Sequence, residues 1–143
     1  RFVMAGSGDL LPKMIRRVAK LGMATKFHFT GFLKGDDVDK MFGMSDVYVM
    51  PSVSEPFGIS PLEAMRSNVP VIISKQSGVA EVLDYAIKID FWDIDAMADA
   101  IYALLHFNAL PEMFKKYGKT EVENIKWDQA GKKVKDIYQD LQK

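Results

Sequence analysis

Two carboxylates stand seven residues apart in the stretch Glu55-Pro56-Phe57-Gly58-Ile59-Ser60-Pro61-Leu62-Glu63. Glu55 falls in a loop that follows an apolar run. Glu63 falls in the first turn of a short helix, with Gly58 between the two. A helix start offers free N–H groups and a partial positive charge, which suits a phosphate. A carboxylate accepts hydrogen bonds, which suits sugar hydroxyls. Together these parts read as a cradle for a nucleotide sugar. Ser60-Pro61-Leu62-Glu63 also reads as a capping box with Pro in the first turn, and there Glu63 would only satisfy a backbone donor. A lone loop Glu such as Glu55 also reads as a solvated side chain. On these residues alone both readings stay open.

A second glycine-bearing turn is Gly6-Ser7-Gly8. A dinucleotide fingerprint needs a third Gly or Ala at position 11, where Leu11 stands, so ordinary NAD or FAD binding is not expected. The turn is either simply tight, or Gly6 and Gly8 let a ligand approach the backbone. With no cysteine, thiolate metal sites, thiol nucleophiles and disulfides are excluded, and His28 and His106 lie far apart in sequence. His28 reads as a packed strand residue, and the nine Met as core filler. The 19 basic and 19 acidic residues cancel, which argues against a nucleic-acid partner. No apolar run reaches the ~20 residues that span a bilayer.

The elements that must position these residues follow from periodicity. Apolar runs at Phe2–Ala5, Phe27–Thr30, Val47–Met50, Val71–Ile73 and Ala86–Ile89 read as strands. The first lacks alternation, as a strand buried on both faces would. Leu10, Leu11, Met14, Ile15, Val18 and Leu21 recur at helical spacing, with Asp9 as N-cap and Gly22 as stop. Shorter helices fit Asp36–Phe42, Pro61–Ser67, Val79–Leu83 and Pro111–Tyr117. Longer stripes run from Ile94 to Leu105 and from Trp127 to Leu141. Strands alternating with single helices predict βαβ units, hence an α/β, Rossmann-like, doubly wound parallel sheet. Its ligands belong at the carboxyl ends of the strands, in the loops after Ala5, Thr30, Met50 and Ser74. All 143 residues are expected to form one domain. The chain opens Arg1-Phe2-Val3-Met4, inside an apolar run and without an initiator Met, which reads as a domain truncated at its N-terminus.

Glu55 to Glu63 resembles the E-x7-E signature of retaining GT-B glycosyltransferases, especially glycosyltransferase family four, the glycosyl transferases group 1. The surroundings agree, in order and nearly end to end. Ser45-Asp46-Val47-Tyr48-Val49-Met50-Pro51-Ser52 resembles "A-D-v-f-v-x-P-S". Glu63-Ala64-Met65 with Val69-Pro70-Val71-Ile72 resembles "E-A-M-A-x-G-x-P-V-V". Met4-Ala5-Gly6-Ser7-Gly8 resembles "i-a-G-x-G", and Phe29-Thr30-Gly31-Phe32 resembles the "F-x-G" strand end. Ser77-Gly78-Val79-Ala80-Glu81 resembles "G-G-x-x-E", and Trp127 resembles the "f-s-W" start of the last helix.

The resemblance implies the C-terminal half of a GT-B fold, lacking its first strand and helix. It implies hexosyl transfer, with retention, from a nucleotide-diphospho sugar donor to a carbohydrate or glycolipid acceptor. Glu63 would accept hydrogen bonds from ribose hydroxyls, and Glu55 would lie beside the transferred sugar as the catalytic carboxylate. The amides of Phe57, Gly58, Ile59 and Ser60 would touch sugar and diphosphate. Phe32 and Leu33 would meet the base, and Gly6 and Gly8 the phosphates. No metal and no cofactor are implied; the nucleotide sugar is a substrate. The N-terminal GT-B domain of the same parent chain is an implied partner, reached by the terminal helix 127–143, whose apolar stripe could also pair two fragments as a dimer. A cytoplasmic parent is implied, with any membrane contact made through that N-terminal domain. The family's basic pair for the diphosphate lies upstream of the strand that opens this chain, so the fragment alone is expected to be inactive. Asn68, Ser77 and Asp90-Phe91-Trp92-Asp93 depart from the family pattern. Two alternatives remain: a non-catalytic nucleotide-sugar-binding or interaction module, and another GT-B enzyme such as a sugar-nucleotide epimerase or a glucan phosphorylase.

Overall fold

The computed structural model describes residues 1–141. The chain divides into two compact units, Arg1–Lys40 and Met41–Lys143. In the first, β1 (Phe2–Ala5) and β2 (Phe27–Gly31) pair in parallel, from Phe2 opposite Phe27 to Ala5 opposite Gly31. Parallel neighbours need a crossover, and α1 (Leu11–Lys20) supplies it. Pro12 sits in its first turn, where a missing N–H costs nothing. Asp9 does not cap this helix; Leu10 holds the N-cap position and no side chain bonds the first turn. Gly22 ends it at φ 68°, with its N–H on the Ala19 carbonyl.

β1 is exposed along its whole length, against the expectation of a strand buried on both faces. It has a hydrogen-bonded neighbour on one side only, and its unit supplies a single crossover helix. Phe2 is instead stacked on Phe27 at 5.2 Å. His28 is exposed rather than packed, because it alternates with the half-buried Phe27 and Phe29 along β2. Helix α2 (Asp36–Gly43) carries Asp36, Asp37 and Asp39 in its first turn.

The second unit is built on a parallel ladder in the order β3-β4-β5: β3 (Tyr48–Met50), β4 (Val71–Ser74) and β5 (Ile87–Ile89). Every residue of β4 is buried, as the central strand of a covered parallel sheet must be. Successive side chains point to opposite faces, so Ile72 faces away from Val71 and Ile73. Ile72 clusters with Ile89 and Leu104 of α4 (Ile94–His106), and Met97, Ile101 and Phe114 pack against them. Burying each such side chain stabilises the fold by about 1.5–3 kcal/mol.

α3 (Ser60–Arg66) follows the loop after β3. It ends at Asn68, which takes the left-handed φ of 61° that Asn tolerates. The segment expected as a helix at Val79–Leu83 is a 3-10 turn over Gly78–Glu81. Helix α5 (Ala109–Asn124) is more than twice the expected length. Its Gly118 is no stop signal: it is buried, and a Cβ there would come 3.0 Å from Met65 Cε of α3. Glu121, one turn further on, accepts the backbone N–H groups of Asp84 and Tyr85 at 2.6 and 3.0 Å. Two methionines, Met50 and Met65, are core residues; Met4, Met44 and Met113 are exposed. α6 (Trp127–Asp140) has no buried residue, and its stripe of Val134, Ile137, Tyr138 and Leu141 is open. Among the described residues no helix is long and apolar enough to cross a membrane.

Candidate functional site

Glu55 sits where the loop after β3 runs alongside the segment leaving β4. Its backbone forms an isolated parallel bridge with Ser77. Three bonds fix this loop. Ser74 Oγ donates to the Ser52 carbonyl at 2.6 Å, Gly78 N–H to the Glu55 carbonyl at 2.9 Å, and Val79 N–H to the Phe57 carbonyl at 2.7 Å. Ser77 Oγ donates to the Ser74 carbonyl at 2.7 Å, so the buried strand end is itself braced. Gly78 admits no side chain, because a Cβ would collide with the Pro56 carbonyl oxygen.

Gly58 takes φ +94° and is buried; a Cβ there would meet Met50 Cε at 3.0 Å and Glu55 Cγ at 3.2 Å. That turn delivers the chain into α3. Phe57 and Ile59 on either side of it are exposed.

The expected capping box does not form. Ser60 is the first helical residue, Ile59 holds the cap position, and no side chain caps the helix. Glu63 N–H bonds the Ile59 carbonyl at 3.2 Å, leaving its own carboxylate out of the cap. The Ser60 hydroxyl is instead engaged 2.8 Å from the hydroxyl of Tyr48. Among the described residues neither the Glu55 nor the Glu63 carboxylate makes a hydrogen bond. Both carboxylates act electrostatically on the Tyr48 hydroxyl. Burial pushes the Tyr48 hydroxyl above its ordinary pKa of 10.0, the Ser60 bond opposes this, and the charges of Glu63 and Glu55 add to the rise. The two carboxylates singled out in the sequence therefore both act electrostatically on a phenol that sequence reading did not select. The signal for Tyr48 was faint: it shares the Met50 face of β3 by alternation.

Gly6, Gly8, Phe32 and Leu33 belong to the first unit. Gly6, at φ 119°, donates its N–H to the Gly31 carbonyl at 2.7 Å, which ties the two loops at the carboxyl ends of β1 and β2. The Gly8 carbonyl accepts from Leu11 N–H at 3.0 Å. Phe32 is 69% exposed, with Lys34 Nζ 5.6 Å from its ring centroid, and Leu33 is half-buried.

Arg66 lies in the last turn of α3, and Lys75 Nζ is paired with Asp90 Oδ2 at 2.9 Å. Gln76 donates to Asp90 Oδ1 at 2.8 Å. These bonds from Lys75 and Gln76 hold the Asp90 carboxyl below the usual range. Asp93 then caps α4 through Ala96 N–H at 2.9 Å, so the unusual Asp90–Asp93 loop is locally satisfied. Among the described residues no group of three or more His, Asp or Glu is placed to hold a metal ion.

Parallel βαβ units, with Glu55 in the loop after β3 and Glu63 in the helix that follows, make an α/β, Rossmann-like fold. The family model of glycosyl transferases group 1 matches residues 1–121, and the chain belongs to that family. It is 33% identical to an uncharacterized glycosyltransferase of Methanocaldococcus jannaschii, over 96% of this chain and 36% of that protein. HepE from Anabaena, solved in complex with UDP-glucose, superposes with a TM-score of 0.77 at 19% identity, covering 84% of this chain and 35% of that one. The C-terminal domain of a glycosyl transferase group 1 family protein from Francisella tularensis superposes with a TM-score of 0.75 at 17% identity. There 85% of this chain covers 83% of the other. The chain thus spans about a third of the length of the curated relative.

Proposed function

We propose that this chain is the donor-binding part of a retaining glycosyltransferase, which moves a hexosyl group from a nucleotide-diphospho sugar to a carbohydrate or glycolipid acceptor. One observation carries the reading: Glu55 and Glu63 converge electrostatically on Tyr48 while neither carboxylate is consumed by a hydrogen bond of the described residues. Carboxylate oxygens without hydrogen-bond partners are acceptors for hydroxyl groups, which a sugar and a ribose supply in number.

In this reading Glu63 takes the ribose hydroxyls and Glu55 faces the transferred sugar. The segment from Phe57 to Ser60 presents its backbone to sugar and diphosphate. Phe32 and Leu33 receive the base, and Gly6 and Gly8 leave room for the phosphates. Negative charge that develops on the departing diphosphate needs preorganised donors and cations to stabilise it. Lys75 is paired with Asp90, and the basic pair that the family resemblance implies belongs to the parent protein rather than to these 143 residues. The chain alone therefore binds but does not turn over. The exposed stripe of α6 docks on the N-terminal domain of the parent, and two copies of the isolated chain pair through it at high concentration.

The test is ligand-observed NMR on this chain with ADP, UDP and GDP side by side. A selective signal for one nucleotide, lost in Glu63→Ala, supports the reading and names the donor class. Absence of any signal, here and in the parent protein, overturns it.

A further inference from the structure

Tyr48 and Ser60 share one hydrogen bond of 2.8 Å in which either oxygen could donate, and proton counting decides the direction. The Tyr48 hydroxyl carries one proton, and among the described residues the Ser60 oxygen is its only hydrogen-bond acceptor. The Ser60 hydroxyl also carries one proton, and it has two outlets: the Tyr48 oxygen and Met50 Sδ at 4.0 Å. Only one arrangement uses both protons: Tyr48 donates to Ser60, and Ser60 donates onward.

The onward bond of Ser60 is poor. A thioether sulfur is a weak acceptor, and 4.0 Å is the outer limit for it. A ligand oxygen would be a stronger partner. Ser60 and Glu63 are three apart on α3, so they share a helical face. A hydroxyl that donates to the Glu63 carboxylate has lone pairs left, and a carboxylate cannot fill them. Ser60 can.

We propose that Tyr48 is a positioning residue that commits the Ser60 proton to the ligand, so that Ser60 and Glu63 together bracket a ribose hydroxyl, one donating to it and the other accepting from it. The proposal rests on the nucleotide-sugar reading of this site and adds two residues and a direction to it. Glu63 alone would accept from any hydroxyl donor. The added Ser60 donor requires a group that both gives and receives a hydrogen bond, which a ribose hydroxyl does and an ammonium or a deoxy carbon does not.

The experiment measures dissociation constants for ADP, UDP and GDP and for their 2′,3′-dideoxy counterparts. The proteins are the unsubstituted chain, Tyr48→Phe, Ser60→Ala, the double variant and Ser60→Thr. For the nucleotide that binds best, Tyr48→Phe and Ser60→Ala each weaken binding about five- to tenfold, the size of one neutral hydrogen bond. The double variant is no weaker than either single one, and Ser60→Thr retains the affinity. All variants bind the dideoxy counterpart as the unsubstituted chain does. Equal losses for the hydroxylated and the dideoxy nucleotide overturn the proposal, because a merely structural role acts on both. Additive losses in the double variant overturn it too. Binding that is indifferent to Tyr48 removes this proposal and leaves the nucleotide site standing, whereas an unsubstituted chain that binds none of the nucleotides removes both.

Discussion

The hydroxyl of Ser74 donates to the main-chain carbonyl of Ser52 at 2.6 Å, from the buried end of β4 to the start of the loop that carries Glu55. This bond continues the β3–β4 pairing past the last ladder partners, Met50 and Ile73. Ser74→Ala removes the donor and leaves that carbonyl without its partner. The expected cost is about 1–3 kcal/mol. Urea unfolding should show a lowered midpoint with an unchanged slope.

Gly78 is the tightest point of the same loop. Its Cβ position overlaps the Pro56 carbonyl oxygen, which is backbone and cannot rotate away. Gly78→Ala must therefore push the Glu55 loop off β4. Overpacking of this kind costs about 1–3 kcal/mol. In the parent protein the same change is expected to depress transfer more than stability alone accounts for, because it moves Glu55. Gly43→Ala is the control, since open space surrounds that Cβ and its φ is not in the left-handed region.

Tyr48 makes stability depend on alkaline pH. Burial raises its folded pKa above 10.0, so the unfolded chain loses this proton first. The contribution is fully present below about pH 10 and is lost as pH rises through the folded value. Tyr48→Phe removes this component, and its stability should fall less steeply above pH 10 than that of the unsubstituted chain. Denaturant midpoints from pH 8 to 11 check this. Parallel curves for the two proteins would overturn it.

The core and the last helix should respond in opposite ways to truncation. Ile72 is fully buried among Ile89 and Leu104, and Ile72→Ala is expected to cost about 2–5 kcal/mol. Ile137 belongs to the open stripe of α6 and is 61% exposed. Ile137→Ala should change the unfolding midpoint little and should weaken self-association seen by sedimentation at high concentration.

Much of the fold was legible along the chain. The strand at Val71–Ile73 could be read because a covered parallel strand is uniformly apolar, and β4 is that strand. The end of α3 could be read at Asn68, because few side chains accept a left-handed backbone. Both are local properties of a few residues. Phe2–Ala5 obeyed the same apolar rule and still came out exposed, since burial depends on which neighbours arrive and not on the strand's own composition. α5 ran on through Gly118 for a similar reason: the small residue was demanded by Met65 of another helix, which no local pattern reveals.

The site divides in the same way. Glu55 and Glu63 were legible from residue type, spacing and the ordered motifs around them. The role of Ser60 was not. Its position three residues before Glu63 suggested a cap, and the tertiary structure gives its hydroxyl to Tyr48 twelve residues upstream. A hydroxyl chooses the best acceptor or donor within about 3 Å. Which group that is depends on how β3 packs under the first turn of α3. Sequence spacing sets the list of candidates, and through-space distance selects among them. The chain by itself therefore determined the family, the order of the elements and the two carboxylates. Only the packed structure decided that Glu63 is released from capping and that Ser60 is paired with Tyr48.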